Sequence, residues 1–364
     1  KVFINSNNRL SYNVSFKGEQ ILDESILGIV VDGDTLGNES QIKLIGKESI
    51  KENYITRGVH TEAVNWYNQY TYEILSKEGK IYLHVRAYND GIAFRYIVPG
   101  NGERKVCGEL TSFGCPHNIP VWFFERNNDW KLKTYAGEWK KTMSDSLSKI
   151  SPNGPVQAPI LLYELKSGGY MGITEAALYN YSGMRLRAKD DASLHVNFTE
   201  DQGFCVGGEI ITPWRVILLV DNLNELVNTD IITNLNPVPD KNLFSETDYI
   251  KPGRSVWSWW SASEDFMTVD FEKHLIDRAK ELNFEYTTLD EGWEKWKDKW
   301  NVLRDICAYA AEKNVGVFVW KHSREINFPD NDYQTMRLFL DSLTIAGVKG
   351  VKIDFMNGED KSII

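Results

Sequence analysis

The order of apolar and polar positions divides the chain into two stretches of different grammar. Over residues 1–245, short runs alternate in polarity and are rich in β-branched and aromatic side chains: 81–87 (IYLHVRA), 92–98 (IAFRYIV), 161–165 and 194–198. Asn89-Asp90-Gly91, Ser167-Gly168-Gly169 and Lys189-Asp190-Asp191 separate such runs. Period-two alternation broken by Gly, Asn and Asp predicts strands joined by tight turns, and strands at this spacing predict a large β-sandwich. Residues 234–252, with three Pro and several Asp and Asn, read as a linker.

Beyond Pro252 the period changes. Residues 256–261 form a compact aromatic run that predicts a strand. Phe271, Leu275, Ala279 and Leu282 then recur at helical spacing, as do Leu303, Ile306, Cys307, Ala310 and Ala311, and finally Tyr333, Met336, Leu340 and Leu343. Between these helices lie apolar strands at 286–290, 316–320 (GVFVW) and 350–355 (GVKIDF), the last one preceded by a closing Gly347. Strand–helix alternation with continuous apolar strands predicts a parallel sheet buried on both faces. Each strand ends in polar or aromatic residues: Trp259-Trp260, Asp290-Glu291, Lys321-His322 and Asp354. A (β/α)8 barrel places its active site at those ends.

A whole barrel needs about 250 residues, and only 112 of the 364 residues follow Pro252. Four strands fit. The expected organisation is therefore multidomain, β plus α/β: a sandwich over 1–245, then the first half of a (β/α)8 TIM barrel over 246–364. A half barrel would leave an open parallel edge. This predicts that the chain is the first part of a longer protein, or that a second chain completes it.

Composition narrows the chemistry. The formal net charge of −10 argues against a phosphate-backbone partner, and no apolar run is long enough to span a membrane. Twelve Trp, 17 Tyr and 16 Phe are many flat apolar rings with polar edges, which suit sugar faces as well as large cores. Four scattered Cys do not make a disulfide framework, and Cys107 and Cys115 are expected to be a reduced, buried pair. Six His without paired spacing do not make a zinc site. Lys1 in place of Met predicts that a secretory leader has been removed. Asp32-Gly-Asp34 opens like a calcium loop, but Lys43 stands where a bidentate Glu is required, so the segment is predicted to be a turn.

Two segments carry candidate chemistry. In 350–356 (GVKIDFM), Lys352 and Asp354 share one face of a strand. A lysine there lowers the carboxylate's pKa and can donate to substrate hydroxyls. Asp354 at the strand's C-terminal end would suit attack on an anomeric carbon, or equally a helix cap. In 287–293 (TTLDEGW), Asp290 and Glu291 could bind vicinal hydroxyls while Trp293 covers the apolar sugar face. The same acids would suit a helix N-terminus. Alternation along Trp257-Ser-Trp259-Trp260 sends Trp257 and Trp259 to one side, so part of this cluster is expected to line a site and part to pack.

The DEGW segment, the GVKIDFM strand, 90–96 (DGIAFRY), 173–178 (ITEAAL) and 212–215 (TPWR) together resemble glycoside hydrolase family 97. The resemblance runs through nearly the whole chain in motif order. It implies an N-terminal β-super-sandwich, a linker, a (β/α)8 catalytic barrel and a small C-terminal β domain. It also implies a bacterial exo-acting hydrolase, periplasmic or secreted, that depends on Ca²⁺. Asp354 matches the nucleophile of the family's retaining, α-galactosidase-like branch, whereas the inverting α-glucosidase branch lacks an Asp there. Glu175 matches a sandwich-domain carboxylate used around the calcium. The acid/base Glu falls beyond the fourth barrel strand. The expected activity is a retaining α-galactosidase forming a covalent glycosyl-enzyme on Asp354, with Asp290, Glu291, Lys352, Trp259 and His322 contacting the galactoside or oligosaccharide. The remaining barrel half is the expected partner. An arabinopyranosidase, an α-glucosidase, or a non-catalytic sugar-binding protein or fragment are the alternatives.

Overall fold

A computed structural model of the chain describes residues 1–6, 9–124, 137–260, 262, 266–356 and 360–362. The chain separates into compact units, the first running Lys1–Val238 and the second Pro239–Met356.

Among the described residues, the first unit is built on a ten-stranded antiparallel sheet accompanied by smaller antiparallel sheets of three, four and four strands. Its predicted strands appear as Gly79–Ala87, Gly91–Val98, Leu161–Glu164 and Leu194–Phe198. The Asp32-Gly33 turn joins Ile29–Val31 to Asp34–Leu36, with both residues at positive φ (55° and 93°). That is the hairpin geometry an Asp-Gly pair supplies.

The strand Trp214–Val220 lies inside the large sheet and is buried along its whole length. Its side chains alternate between two cores. Ile217 and Leu219 join the main cluster with Tyr12, Phe94, Tyr96 and Phe123, which fills the sandwich. Trp214, Val216 and Leu218 join a second cluster with Ile231 and Leu235 of the helix Ile231–Leu235. The linker reading at 234 therefore begins too early. Asn234 is buried in that helix, where its amide donates to the Val64 carbonyl and accepts from Tyr54. Cys107 and Cys115 are not a buried pair: Cys107 is exposed, Cys115 is buried, and both are free thiols.

The second unit carries a parallel sheet in the order Ser255–Trp257, Tyr286–Leu289, Gly316–His322, Gly350–Asp354. The helices Val269–Glu281, Lys299–Glu312 and Gln334–Ala346 alternate with these strands. Leu289, Val317 and Val319 point to the helices and pack with Ile276, Leu303, Ile306 and Leu343. Tyr286, Thr288, Phe318, Trp320, Lys352 and Asp354 alternate to the opposite face. One face of the sheet is therefore aliphatic, and the other is aromatic and polar.

Gly91 lies under the Trp214–Val220 strand, opposite Leu218. A Cβ there would stand 2.6 Å from the Ile217 carbonyl oxygen and 2.8 Å from Ile231 Cδ1. Backbone cannot yield to it as a flexible side chain would. Gly91→Ala is expected to destabilise the sandwich by about 1–3 kcal/mol, read as a lower midpoint in chemical unfolding followed by circular dichroism.

Candidate active site

Parallel register sets the site. Trp320 pairs with Lys352 and His322 with Asp354 across neighbouring strands, so all four occupy the C-terminal end of the sheet. Lys352 and Asp354, two residues apart, point the same way. The Lys352 ammonium lies 2.8 Å from Asp290 Oδ2 and 3.3 Å from Asp354 Oδ2. It also stands 4.4 Å from the centre of the Trp257 ring. Two carboxylates and one indole face thus converge on a single cation.

Asp354 is held from three sides. Trp320 Nε1 donates to Oδ2 at 3.1 Å, Lys352 approaches the same oxygen, and the Phe355 amide donates to Oδ1 at 2.8 Å. Phe355 occupies the left-handed region at φ 56°, an uncommon conformation for a bulky side chain and one that recurs at functional sites. Burial opposes ionisation of Asp354, but the Phe355 amide, the Trp320 indole and Lys352 outweigh it and hold the carboxyl below its usual range. The side chain nevertheless remains partly open, at 39% exposure.

Asp290 is different. It is only 2% exposed, and its carboxylate accepts from Lys352, from Trp257 Nε1 and from the Glu291 amide. Its geometry therefore positions Lys352 and Trp257. Glu291 is half-buried beside it. Trp293 is not a sugar platform: it is fully buried, and its Nε1 donates to the Trp320 carbonyl at 2.9 Å. Gly292, at φ 113°, makes the turn that drives this ring into the core. His322 stacks on Phe355, with ring centres 5.2 Å apart, and its Nδ1 accepts the Arg324 amide.

The tryptophan pair also needs correction. Sheet structure stops at Trp257, and Ser258–Trp260 is a 3₁₀ turn, so period-two alternation does not extend to Trp259. Trp257 and Trp260 come together instead, with ring centres 5.8 Å apart. They line a groove with Ser255, Thr288 and Lys352, and Trp259 is not among its lining residues. Trp260 is 86% exposed, leaving a flat apolar face at the groove's edge.

Sequence reasoning overlooked Glu272. It lies in the first turns of Val269–Glu281 and is fully buried, with no cation paired to its carboxyl among the described residues. Burial pushes its pKa up to about 8; Ser258 pulls it down and the neighbouring Asp290 charge adds to the rise. The signal was an acid one turn into an amphipathic helix, at a position that faces the sheet.

Glu175, the candidate calcium ligand, lies in the sandwich. Its Oε2 accepts from Arg215 at 2.6 Å and its Oε1 from the Met184 amide at 2.8 Å. Arg215 is wholly buried and also binds both oxygens of Glu109. Burial works against the guanidinium's charge, but Glu109 and Glu175 outweigh it and hold its pKa above the usual value. Calcium takes about six to eight oxygen ligands. Here a cation already fills the space between the acids, and no group of three or more His, Cys, Asp or Glu suited to a metal occurs among the described residues. Glu175 is thus engaged by Arg215, and no chemical step below is routed through calcium.

Two outcomes follow. Lys352→Met removes the cation between the acids, so the Asp354 carboxyl should titrate at higher pH, measurable by carbon-13 NMR of labelled Asp. Glu272 binds a proton more tightly folded than unfolded. The stability associated with that proton is therefore complete below about pH 4.5 and is lost progressively as pH rises to about 8. Glu272→Gln should match the native chain in urea unfolding at pH 4 and exceed it by roughly 2–4 kcal/mol at pH 9.

Comparison with known proteins agrees with this architecture. Residues 1–237 match the family model for the glycosyl-hydrolase 97 N-terminal domain, and residues 249–364 match that for glycoside hydrolase 97. A retaining alpha-galactosidase of Bacteroides thetaiotaomicron is 27% identical over the whole chain, and a probable retaining alpha-galactosidase of Streptomyces bingchenggensis is 27% identical over 98% of it. The chain spans only 59% and 55% of their respective lengths. Among solved structures, a beta-arabinopyranosidase superposes with a TM-score of 0.87 at 22% identity, covering 100% of this chain and 61% of its own. A family 97 enzyme from Pseudoalteromonas sp. strain K8, in complex with acarbose, gives 0.79 at 21%, covering 97% of this chain and 57% of its own. The chain belongs to glycoside hydrolase family 97.

Proposed function

We propose that this chain is the sandwich and the nucleophile-bearing part of a retaining, exo-acting α-galactosidase, its four parallel strands being the first half of a (β/α)8 barrel. The observation that carries the reading is the placing of Asp354: at a strand's C-terminal end, held ionised, and partly exposed. The retaining alpha-galactosidase names of the two relatives support the sugar and the stereochemistry.

In this mechanism one Asp354 oxygen attacks the anomeric carbon from the face opposite the leaving group, giving a covalent glycosyl-enzyme. The Trp320 indole and the Phe355 amide fix the carboxylate's orientation. Lys352 keeps it anionic until the carbon–oxygen bond forms. Trp257 and Trp260 offer ring faces to the apolar side of the sugar, with Glu291 and His322 placed near the strand ends to meet its hydroxyls. A second carboxyl group, about 5–5.5 Å from the first in retaining enzymes, must protonate the leaving oxygen and then activate water. The reading assigns it to the further βα units of a complete barrel. Family resemblance also leads us to propose export to the periplasm or beyond the cell.

In the full-length protein, Asp354→Ala should lower hydrolysis of an aryl α-galactoside by about 10³-fold or more. Azide should restore turnover and yield β-galactosyl azide, because it enters from the face the carboxylate vacated. Unchanged turnover, or a native product inverted at its anomeric carbon by proton NMR, would overturn the nucleophile assignment. Faster turnover of an aryl β-L-arabinopyranoside would move the specificity while keeping the mechanism. Binding without turnover of either glycoside would make the protein a sugar-binding module.

A further inference from the structure

Two arginines of the sandwich stand side by side, with Glu209 as the acid near them. His84 pairs with Arg95 across neighbouring strands, and Arg86 follows two residues on along the same face. Both guanidinium groups lie over the Trp214 ring, at 4.7 Å for Arg86 and 4.4 Å for Arg95, and Arg86 also covers Tyr67 at 4.2 Å. Neither arginine has an ion pair among the described residues. Arg86 Nε donates to Gln69 Oε1, and Arg95 Nε is buried without a hydrogen-bond partner among the described residues. Burial brings the Arg95 pKa down to about 10, with Arg86 adding to the fall and the exposed Glu209 opposing it. The neighbouring His84 is pushed down to about 4 by burial and by these two cations.

These groups are not closed into a core. Arg86, Arg95, Tyr67, Tyr179, Trp214 and Glu209 line a cavity of about 560 Å³, within the range of small-molecule sites. The exposed Glu209 makes no ion pair with either guanidinium among the described residues, and partly burying two cations side by side is costly unless a ligand supplies further negative charge. The guanidinium fork matches a carboxylate or sulfate in two parallel hydrogen bonds, and the flanking aromatic rings suit a pyranose face.

We propose that this cavity is a binding site for an anionic saccharide, a sugar ring bearing a uronate carboxylate or a sulfate ester, with Arg86 and Arg95 as its donors. The proposal does not draw on the hydrolytic reading and can stand if that reading fails. Its test is binding to the native chain, by calorimetry at fixed ionic strength, with glucuronate, glucose 6-sulfate and glucose. Either or both anions should saturate one site while glucose does not, and which of them binds identifies the oxyanion. Arg86→Gln and Arg95→Gln should each weaken binding by about 10- to 100-fold, and Lys352→Met should leave it unchanged. Arg86 packs less deeply than Arg95, so its variant remains informative should Arg95→Gln fold poorly. No saturable binding of either anion, equal binding of glucose, undiminished binding by Arg86→Gln, or loss of binding in Lys352→Met would each overturn the proposal.

Discussion

A single ammonium between two carboxylates is the interaction on which the candidate site depends. Asp290 and Asp354 belong to different strands, and side by side they would repel. Lys352 reaches both because it stands two residues before Asp354 on the same face, with Asp290 ending the strand two places away in the sheet. Parallel register is therefore a chemical constraint as well as a structural one. A slip of one residue in the last strand would send Lys352 and Asp354 to the helix side and bring Val351 and Ile353 to the polar face. The aliphatic pattern of Leu289, Val317 and Val319 against the helices opposes that slip.

Buried charge is handled in contrasting ways along the chain. Arg215 sits between Glu109 and Glu175, and Lys321 between Glu294 and Glu325, so each cation has two acids to offset its loss of water. Glu272 has no such partner. Its neighbour Asp290 repels a second anion, so it resolves the same problem by keeping its proton. The buried acid with a cation beside it is a salt bridge, and the buried acid without one is a neutral group. In this chain that distinction is made by neighbours far away in sequence.

Distance along the chain also explains what could be read from the residues alone. Strands and turns of the sandwich were legible because period-two alternation and Asp-Gly or Gly-Gly turns are local. So were the four parallel strands and the three helices between them, and with them the shared face of Lys352 and Asp354. Pairing was not legible. Glu175 looks like any hairpin acid until Arg215, forty residues later, is brought against it by the register Glu175↔Arg215. Trp293 and Trp259 were misread for a related reason. A tryptophan's exposure depends on where the strand stops: the 3₁₀ turn at Ser258–Trp260 ends the alternation from which the direction of Trp259 was inferred, and the positive φ of Gly292 turns Trp293 away from the acids that had suggested its role. Trp320 escaped notice as a site residue because its ring also packs, while its indole N–H serves Asp354 as that of Trp257 serves Asp290.

The division of labour between these two acids follows from their surroundings. Asp290 uses both oxygens internally and is shut from solvent, so it has little left to offer a reacting sugar. Asp354 is bound firmly enough to stay ionised yet is open on one side. Lys352 offsets only one of the two aspartates, so this three-residue cluster keeps a residual negative charge. A glycoside transition state carries positive charge at the ring, so a fixed residual negative charge stabilises it more than the neutral substrate. A second unpaired anion would spread that field and disorder Lys352 between competing partners. Glu272 behind Asp290, its pKa raised by burial and by that neighbour, holds its proton and so adds no further anion beside Lys352.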